Sequence, residues 1–484
     1  MNKERRHGFS MREIAGRNEP MSFLWTNCLL WSVFVSIAMI FIAIPIHAET
    51  FSLKVKKLED VPIDAKNKLF RTVVGRGYEM QAPDVSRWPG SPTFASLVTK
   101  EPSNYQCQKP FRGIAQFASD YFAFVLDSSD IASKGYDRLY FDRNHNGDLT
   151  DDGVIEARSI GRSSRGMLVG LLQKLFSSGG RVQREFPRVD ITVHVEGEKC
   201  EYAFFLYADS RTRDSSGELS WSHVRVNSGA YREGEAELNG KRRRIVLLDF
   251  NTNGRFDDLC EIHQNDQRTD VSGDALIIDP NMGFASIRTM NFTSRKEKHP
   301  LSDILCVGNS LYDLTISPAG DTITITPTTR PTGRVVMPGY GWDAVVYRDK
   351  SVVKIIGDIN QAIPLLAGQW RLAEYTIVPN NDDSFMSWPG PDRTFFTAQG
   401  TRNSPSFAVP EGESVAFPFG PPIKPLAKIS SKNSPVVELD YEIFGSNGEI
   451  CTDFLVNGSK PEPPALVITT TDGKVVERGK FKDG

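Results

Sequence analysis

Apolar and polar residues alternate with period two through most of the chain. Val189, Ile191, Val193 and Val195 interleave with Arg188, Asp190, Thr192 and His194, the pattern of a strand with one face in a core and the other, carrying His194, in water. A Glu-Gly-Glu-Lys turn follows, and Tyr202 to Tyr207 supplies a return strand. The same grammar pairs Tyr312, Leu314 and Ile316 with Ile323 and Ile325 across Pro318 to Asp321, and it brings Leu466 to Thr470 back through Asp472-Gly473 into Lys474 to Glu477. Val437, Leu439, Tyr441 and Ile443 alternate with Glu438, Asp440 and Glu442. Helical periodicity is confined to a segment around Met167 to Phe176 and a short one near Phe94 to Thr99. The expected fold class is mainly β, with several antiparallel sheet or sandwich domains in series.

The first 48 residues break this pattern. Lys3, Arg5, Arg6, Arg12 and Arg17 precede an uncharged apolar run from Met21 to Ile46, and Ile46-His47-Ala48 closes it as a processing site. That is the layout of a secretory signal peptide. The run has about the 20 residues that a membrane anchor needs, so an uncleaved anchor is the alternative. Either way the remainder is expected to be exported: periplasmic, in the cell envelope or extracellular, touching membrane only through this segment. Pro, Gly and Ser clusters then divide the chain into 49–218, 219–328, 329–392 and 393–484.

Composition narrows the partners. The totals are 57 Lys and Arg against 60 Asp and Glu; taking away the five basic and three acidic residues of the leader leaves 52 against 57. Mild acidity argues against nucleic acid, and the one basic run, Lys241 to Arg244, follows Asn239-Gly240 as a hairpin shoulder. Beyond Cys28 of the leader, Cys107, Cys200, Cys260, Cys306 and Cys451 show no CxxC spacing, which removes zinc and dithiol motifs and leaves room for one or two disulfides at most.

Two short segments carry candidate chemistry. Asp142, Asn144, Asn146, Gly147 and Asp148 form DxNxNGD; Asp249, Asn251, Asn253 and Gly254 form a second DxNxNG. Each follows an apolar strand (Leu139 to Phe141; Ile245 to Leu248), places an apolar residue at its eighth position (Leu149; Phe256) and an acid at its tenth (Asp151; Asp258). Oxygen-bearing side chains at alternate positions of a tight loop converge, and a glycine at the sixth allows the turn. Such a donor set suits a hard cation, Ca2+, and not zinc or copper. Asn at the third and fifth positions leaves few formal charges, so the expected class is weak and structural, with Kd of about 10⁻⁴ to 10⁻³ M. The competing reading is a pair of Asx-capped turns without metal.

The loops resemble those of dockerins, thrombospondin type 3 repeats and integrin-type (FG-GAP-like) propeller repeats. By that resemblance Asp142, Asn144, Asn146 and the carbonyl of Asp148 are ligands in the first loop, and Asp249, Asn251, Asn253 and the carbonyl of Arg255 in the second. The twelfth position of an EF-hand is an acid, but here it is Gly153 or Cys260, so Asp151 or Asp152, and Asp257 or Asp258, have to substitute. Asp257 completes the DxNxNGxxD form of propeller repeats. At the scale of the whole chain, LYFDRNHNGDLTDDG (139–153), VLLDFNTNGRFDD (246–258), GDALIIDP (273–280), LYDLTISPAGDTITI (311–325), IPLLAGQWRLAEYTI (363–377) and DGKVVERGKF (472–481) resemble uncharacterised exported β-rich proteins of planctomycete bacteria. The stretch through LLAGQWRLAEY is similar to prealbumin-like modules, and the C-terminal end to an Ig-like sandwich edge.

No catalytic constellation stands out. His145, His194, His223, His263 and His299 lack metal spacing, and GRSSRG at 161–166 lacks the register of a nucleophile elbow. The sequence therefore predicts a calcium-stabilised structural or scaffold protein of the cell envelope and no catalysis. Two alternatives remain. One is a carbohydrate-binding or adhesion module presenting Trp88, Trp342, Trp388 or Tyr340 to envelope polysaccharide or protein. The other is a secreted polysaccharide-active hydrolase with an acid pair that the sequence cannot place.

Overall fold

The computed structural model describes residues 48–58, 76–78, 89–107, 109–129, 135–158, 181–213, 218–280, 297–379, 394–433 and 436–481. The leader, the helical segment at 167–176, Trp88 and Trp388 lie outside them. The described elements are strands apart from the helix Phe94–Leu97, whose Thr93 cap accepts from Ser96 N while Ser96 Oγ accepts from Thr93 N. The fold is mainly β, in several antiparallel sheets.

Hairpin registers follow the alternation. Leu314 lies opposite Ile325 and Ile316 opposite Ile323. Asn239 and Gly240, both at positive φ (55° and 65°), turn Ala230–Leu238 into Lys241–Leu248, as a two-residue turn of the mirror-image type requires. In the strand Val189–Val195 the valines and isoleucine are buried while His194 stays half-exposed beside Asp120, Nδ1 to Oδ2 3.1 Å.

The sheets stack in layers, and single strands divide one core from the next. On Asp120–Asp127, Phe122, Phe124 and Leu126 face the largest core, whereas Ala123 and Val125 face a small one with Phe94 and Leu149. On Lys241–Leu248, Ile245 and Leu247 join the large core while Val246 and Leu248 enter a third cluster with Val345 and Tyr347. Gly341–Arg348 splits again, sending Ala344 and Val346 into the fourth cluster. This is why ALII and IVLL read as continuous apolar runs: both of their faces are covered.

Ala48–Gly484 forms one unit by its internal contacts. Glu49–Ser52 pairs with Thr322–Pro327, Lys54–Lys57 with Ala230–Leu238, and Gly368–Val378 with Phe395–Gln399. The first two pairings join segments on either side of the composition break near 218, and the third joins segments on either side of the one near 392. The C-terminal hairpin Ala465–Thr469 with Val475–Lys480 leaves Val467, Ile468, Val475 and Val476 exposed. No helix among the described residues is long and apolar enough to cross a membrane. The five cysteines beyond the leader are unpaired thiols.

Candidate metal centres

Each DxNxNG loop leaves the end of a strand and is pinned at both ends. Asp142 follows Arg138–Phe141 and Asp249 follows Lys241–Leu248, and the eighth-position residues Leu149 and Phe256 are buried in adjoining cores. Between these anchors the two backbones take the same path. The fourth residue, His145 or Thr252, has φ of 62° or 59°, and the sixth, Gly147 or Gly254, has φ of 75° or 84°. Positive φ is uncommon for a β-branched residue. Thr252 is held there with its hydroxyl accepting from Ser228 N at 3.2 Å.

The hydrogen bonds coincide position for position. Asp142 accepts from Asn146 N and Gly147 N at 3.2 and 3.0 Å, and Asp249 from Asn253 N and Gly254 N at 3.1 and 2.8 Å. The third-position Asn oxygens accept from the fifth-position N–H groups, Asn144 from Asn146 and Asn251 from Asn253. The fifth-position oxygens accept from the seventh, Asn146 from Asp148 N and Asn253 from Arg255 N. Both amide groups of each loop then donate to one carboxylate, Asn144 and Asn146 to Asp151 at 3.4 and 2.5 Å, Asn251 and Asn253 to Asp258 at 3.0 and 2.6 Å.

The structure thus brings together the first, third, fifth and tenth side chains of each loop, and it separates the others. Asp148 turns its carboxylate to Lys100 (2.7 Å) and Thr150, and these bonds hold its pKa down at about 2. Asp257 is clamped by Arg255 through two bonds of 2.9 and 2.8 Å, so its carboxylate is engaged away from the Asn pair. Asp152 accepts from Arg143 N and Asn144 N. An ion would meet Asp148 and Arg255 through their main-chain carbonyls.

The second loop has a deeper setting than the first. Asp249 is buried and receives the Tyr202 hydroxyl at 2.6 Å. Asp274, fully buried, accepts from Phe250 N at 2.9 Å and Asp258 N at 3.1 Å, bracing both ends of the loop. Burial pushes the Asp249 and Asp274 carboxyls up; the charges of Asp249 and Asp258 raise Asp274 further, and that of Asp258 raises Asp249. Tyr202 and Asp274 were not singled out in the sequence. Neither belongs to the motif, although Asp274 opens the apolar run Ala275 to Ile278 and is conspicuous there as an acid at a strand entrance.

Among the described residues no three His, Cys, Asp or Glu side chains group as metal ligands. A cation here would therefore depend on Asn amides and backbone carbonyls beside two carboxylates per loop, an all-oxygen set of low charge that fits Ca2+ and no softer metal. The amide nitrogens point at Asp151 and Asp258, so binding requires each Asn side chain to rotate about its terminal bond and present its oxygen. Comparison with protein-family models, curated proteins and solved structures gives no match to the chain.

Of the aromatic candidates for a sugar platform, Trp342 is 2% exposed and packs against Phe417 at 4.9 Å between ring centroids, and Tyr340 is half-buried against the same core. Trp342 is thus a core residue.

Proposed function

We propose that this chain is an exported structural or scaffold protein of the cell envelope, stiffened by calcium at its two DxNxNG loops. By the resemblance of its strands we read its C-terminal part as prealbumin-like and Ig-like modules. The observation that carries the reading is the coincidence of the two loops: the same residues, the same left-handed positions and the same convergence of two Asn side chains on a tenth-position Asp. Turns that only need capping have no use for that second carboxylate, because the first Asp and the backbone already satisfy one another.

The loops also sit where a cation would restrain separate segments. Gly147 accepts from Thr99 N and Lys100 N, tying the first loop to the segment after the helix, and Asp142 N donates to Ala123 O. In the second loop, Asn253 O accepts from Ala118 N in the turn between Phe111–Phe117 and Asp120–Asp127. Both loops therefore grip one hairpin. For the described residues the burial of Trp342 favours the scaffold over a sugar-binding face.

Calcium titration of residues 49–484 followed by thermal unfolding tests the proposal. A rise in melting temperature saturating at millimolar calcium, reversed by chelation and reduced in Asp142→Ala and in Asp249→Ala, is expected. No rise at any concentration would leave capped turns without metal.

A further inference from the structure

A second cluster lies far from the loops in sequence, inside the layer between Gly341–Arg348 and the sheet beneath it. Gly341–Arg348 is flanked by Ser351–Gly357 and Gly368–Val378. On one face of these three strands, Val345 lies opposite both Lys354 and Glu374, and Asp343, two residues along, lies opposite Thr376. Lys354 and Asp343 are 1% and 0% exposed, Glu374 4%. The Lys354 ammonium nitrogen is 3.6 Å from Asp343 Oδ2 and donates to Lys298 O at 3.3 Å.

Glu374 reaches this face only because of a bulge. Trp370 and Leu372 point into the fourth core, and strict alternation would send residue 374 after them. The register slips between Val345 and Val346, so that Glu374 faces Val345 while Leu372 faces Val346. Tyr375 and Ile377 then take over the core positions. Bulges re-aim side chains in this way and are common beside reacting groups.

From this geometry we propose that Lys354 and Asp343 join in an intramolecular amide, with Glu374 as the proton carrier. The Nζ–Cγ bond forms and one Cγ–Oδ bond breaks; the ammonium gives up two protons, and the carboxylate oxygen leaves with them as water. No oxidant, cofactor or second substrate enters the balance. Diagonal neighbours on paired strands have Cβ atoms no more than about 7 Å apart, a span that a lysine stem and a carboxyl group close without moving the backbone.

Three physical terms favour the step. Burial drives the Lys354 amine toward its neutral, nucleophilic form, partly offset by the Asp343 and Glu374 charges. The two groups are held together by the sheet, so their encounter costs no further translational entropy. The product replaces two buried charges by one neutral amide, relieving the desolvation penalty that a buried ion pair carries. The resulting crosslink spans one strand pair and is independent of calcium, so its test and that of the loops fail separately.

Peptide mapping by mass spectrometry of the reduced, denatured full chain reads the bond directly. The expected result is one branched peptide carrying Lys354 and Asp343, lighter by one water than the sum of its parts, and absent from Lys354→Ala. Glu374→Gln, which keeps the size of the side chain, is expected to fold with unchanged circular dichroism and to give the two peptides separately. Recovery of the unlinked peptides from folded wild-type protein would overturn the proposal, as would a water loss that maps only to Asp152-Gly153 or Asp472-Gly473. A crosslink that persists in Glu374→Gln would remove Glu374 from the reaction.

Discussion

The Tyr202 hydroxyl donates to Asp249 Oδ2 across 2.6 Å in a setting where both side chains are buried. The contact ties the large aromatic core, in which Tyr202 meets Phe117 at 5.3 Å between ring centroids, to the first residue of the second loop. Tyr202→Phe keeps the ring and removes one donor from a buried carboxylate. Hydrogen bonds to charged groups contribute about 1.5 to 3 kcal/mol, so a loss of about 2 kcal/mol is expected in urea unfolding without calcium. An unchanged unfolding midpoint would show that the Asp249 carboxylate does not depend on this hydroxyl.

Asp257 and Asp258 are adjacent in sequence and opposite in use. Asp258 collects the Asn251 and Asn253 amides, while Asp257 is held by the Arg255 guanidinium. If the second loop takes calcium, Asp258→Ala removes that loop's share of the calcium-dependent stabilisation, which for one site at a hundredfold excess over Kd is about 2.7 kcal/mol. Asp257→Ala is expected to keep the share and lose only a surface ion pair of about 0 to 1 kcal/mol. Thermal shift with and without calcium on the two variants separates them, and equal responses would contradict the assignment.

Much of this was legible in the chain because strands and loops advertise themselves locally. Leu314, Ile316, Ile323 and Ile325 announce their register by alternation, and Asn239-Gly240 announces its turn by the need for positive φ. The two loops are readable as repeats because Asp, Asn, Asn and Gly must recur at fixed offsets to close the same bend. What escaped is what long-range packing decides. The motif cannot say whether Asp257 or Asp258 turns inward, since that depends on the packing of Phe256 and on Arg255. Tyr202 and Asp274 reach the second loop from 47 residues before Asp249 and from 24 residues after Phe250. Alternation also misplaces Glu374, because one bulged residue inverts every face after it. The exposed valines of the terminal hairpin show the converse, a strand pattern without a covered face among the described residues.

The two glycines of the first loop, at its sixth and twelfth positions, differ in what surrounds them. A Cβ on Gly147 would lie 2.6 Å from the Leu97 carbonyl oxygen and 3.2 Å from Thr99 Oγ1, whereas one on Gly153 would meet nothing within 4 Å. Their φ values, 75° and 74°, are nearly equal. The conformational penalty is therefore common to both, about 1 to 2 kcal/mol for a left-handed residue with a side chain. Gly147→Ala adds a clash with backbone and is expected to cost about 3 kcal/mol or more, while Gly153→Ala stays near the conformational term alone. Chemical denaturation of the pair checks the difference, and equal losses would mean that the loop does not rest on the Leu97 to Thr99 segment.

His299 gives the fold an acid-sensitive point remote from both loops. It is 5% exposed, its Nδ1 finds no hydrogen-bond partner among the described residues, and burial, the larger cause, with the Lys354 charge added wherever that amine is not joined in an amide, drives its pKa from 6.5 down to about 3. A base with a depressed folded pKa binds fewer protons in the native state than in the unfolded one. Its contribution is thus complete above the unfolded value and is lost as pH falls from about 6.5 toward 3. Each pH unit in that window removes about 1.4 kcal/mol, so roughly 2 kcal/mol should disappear between pH 6.5 and about pH 5. His299→Gln carries no titrating ring and is expected to flatten that part of the stability profile, whatever it costs at neutral pH. Urea unfolding of wild type and variant at matched pH values gives the two slopes. Parallel slopes between pH 6.5 and 5 would show that His299 protonates in the folded protein as readily as it does in the unfolded chain.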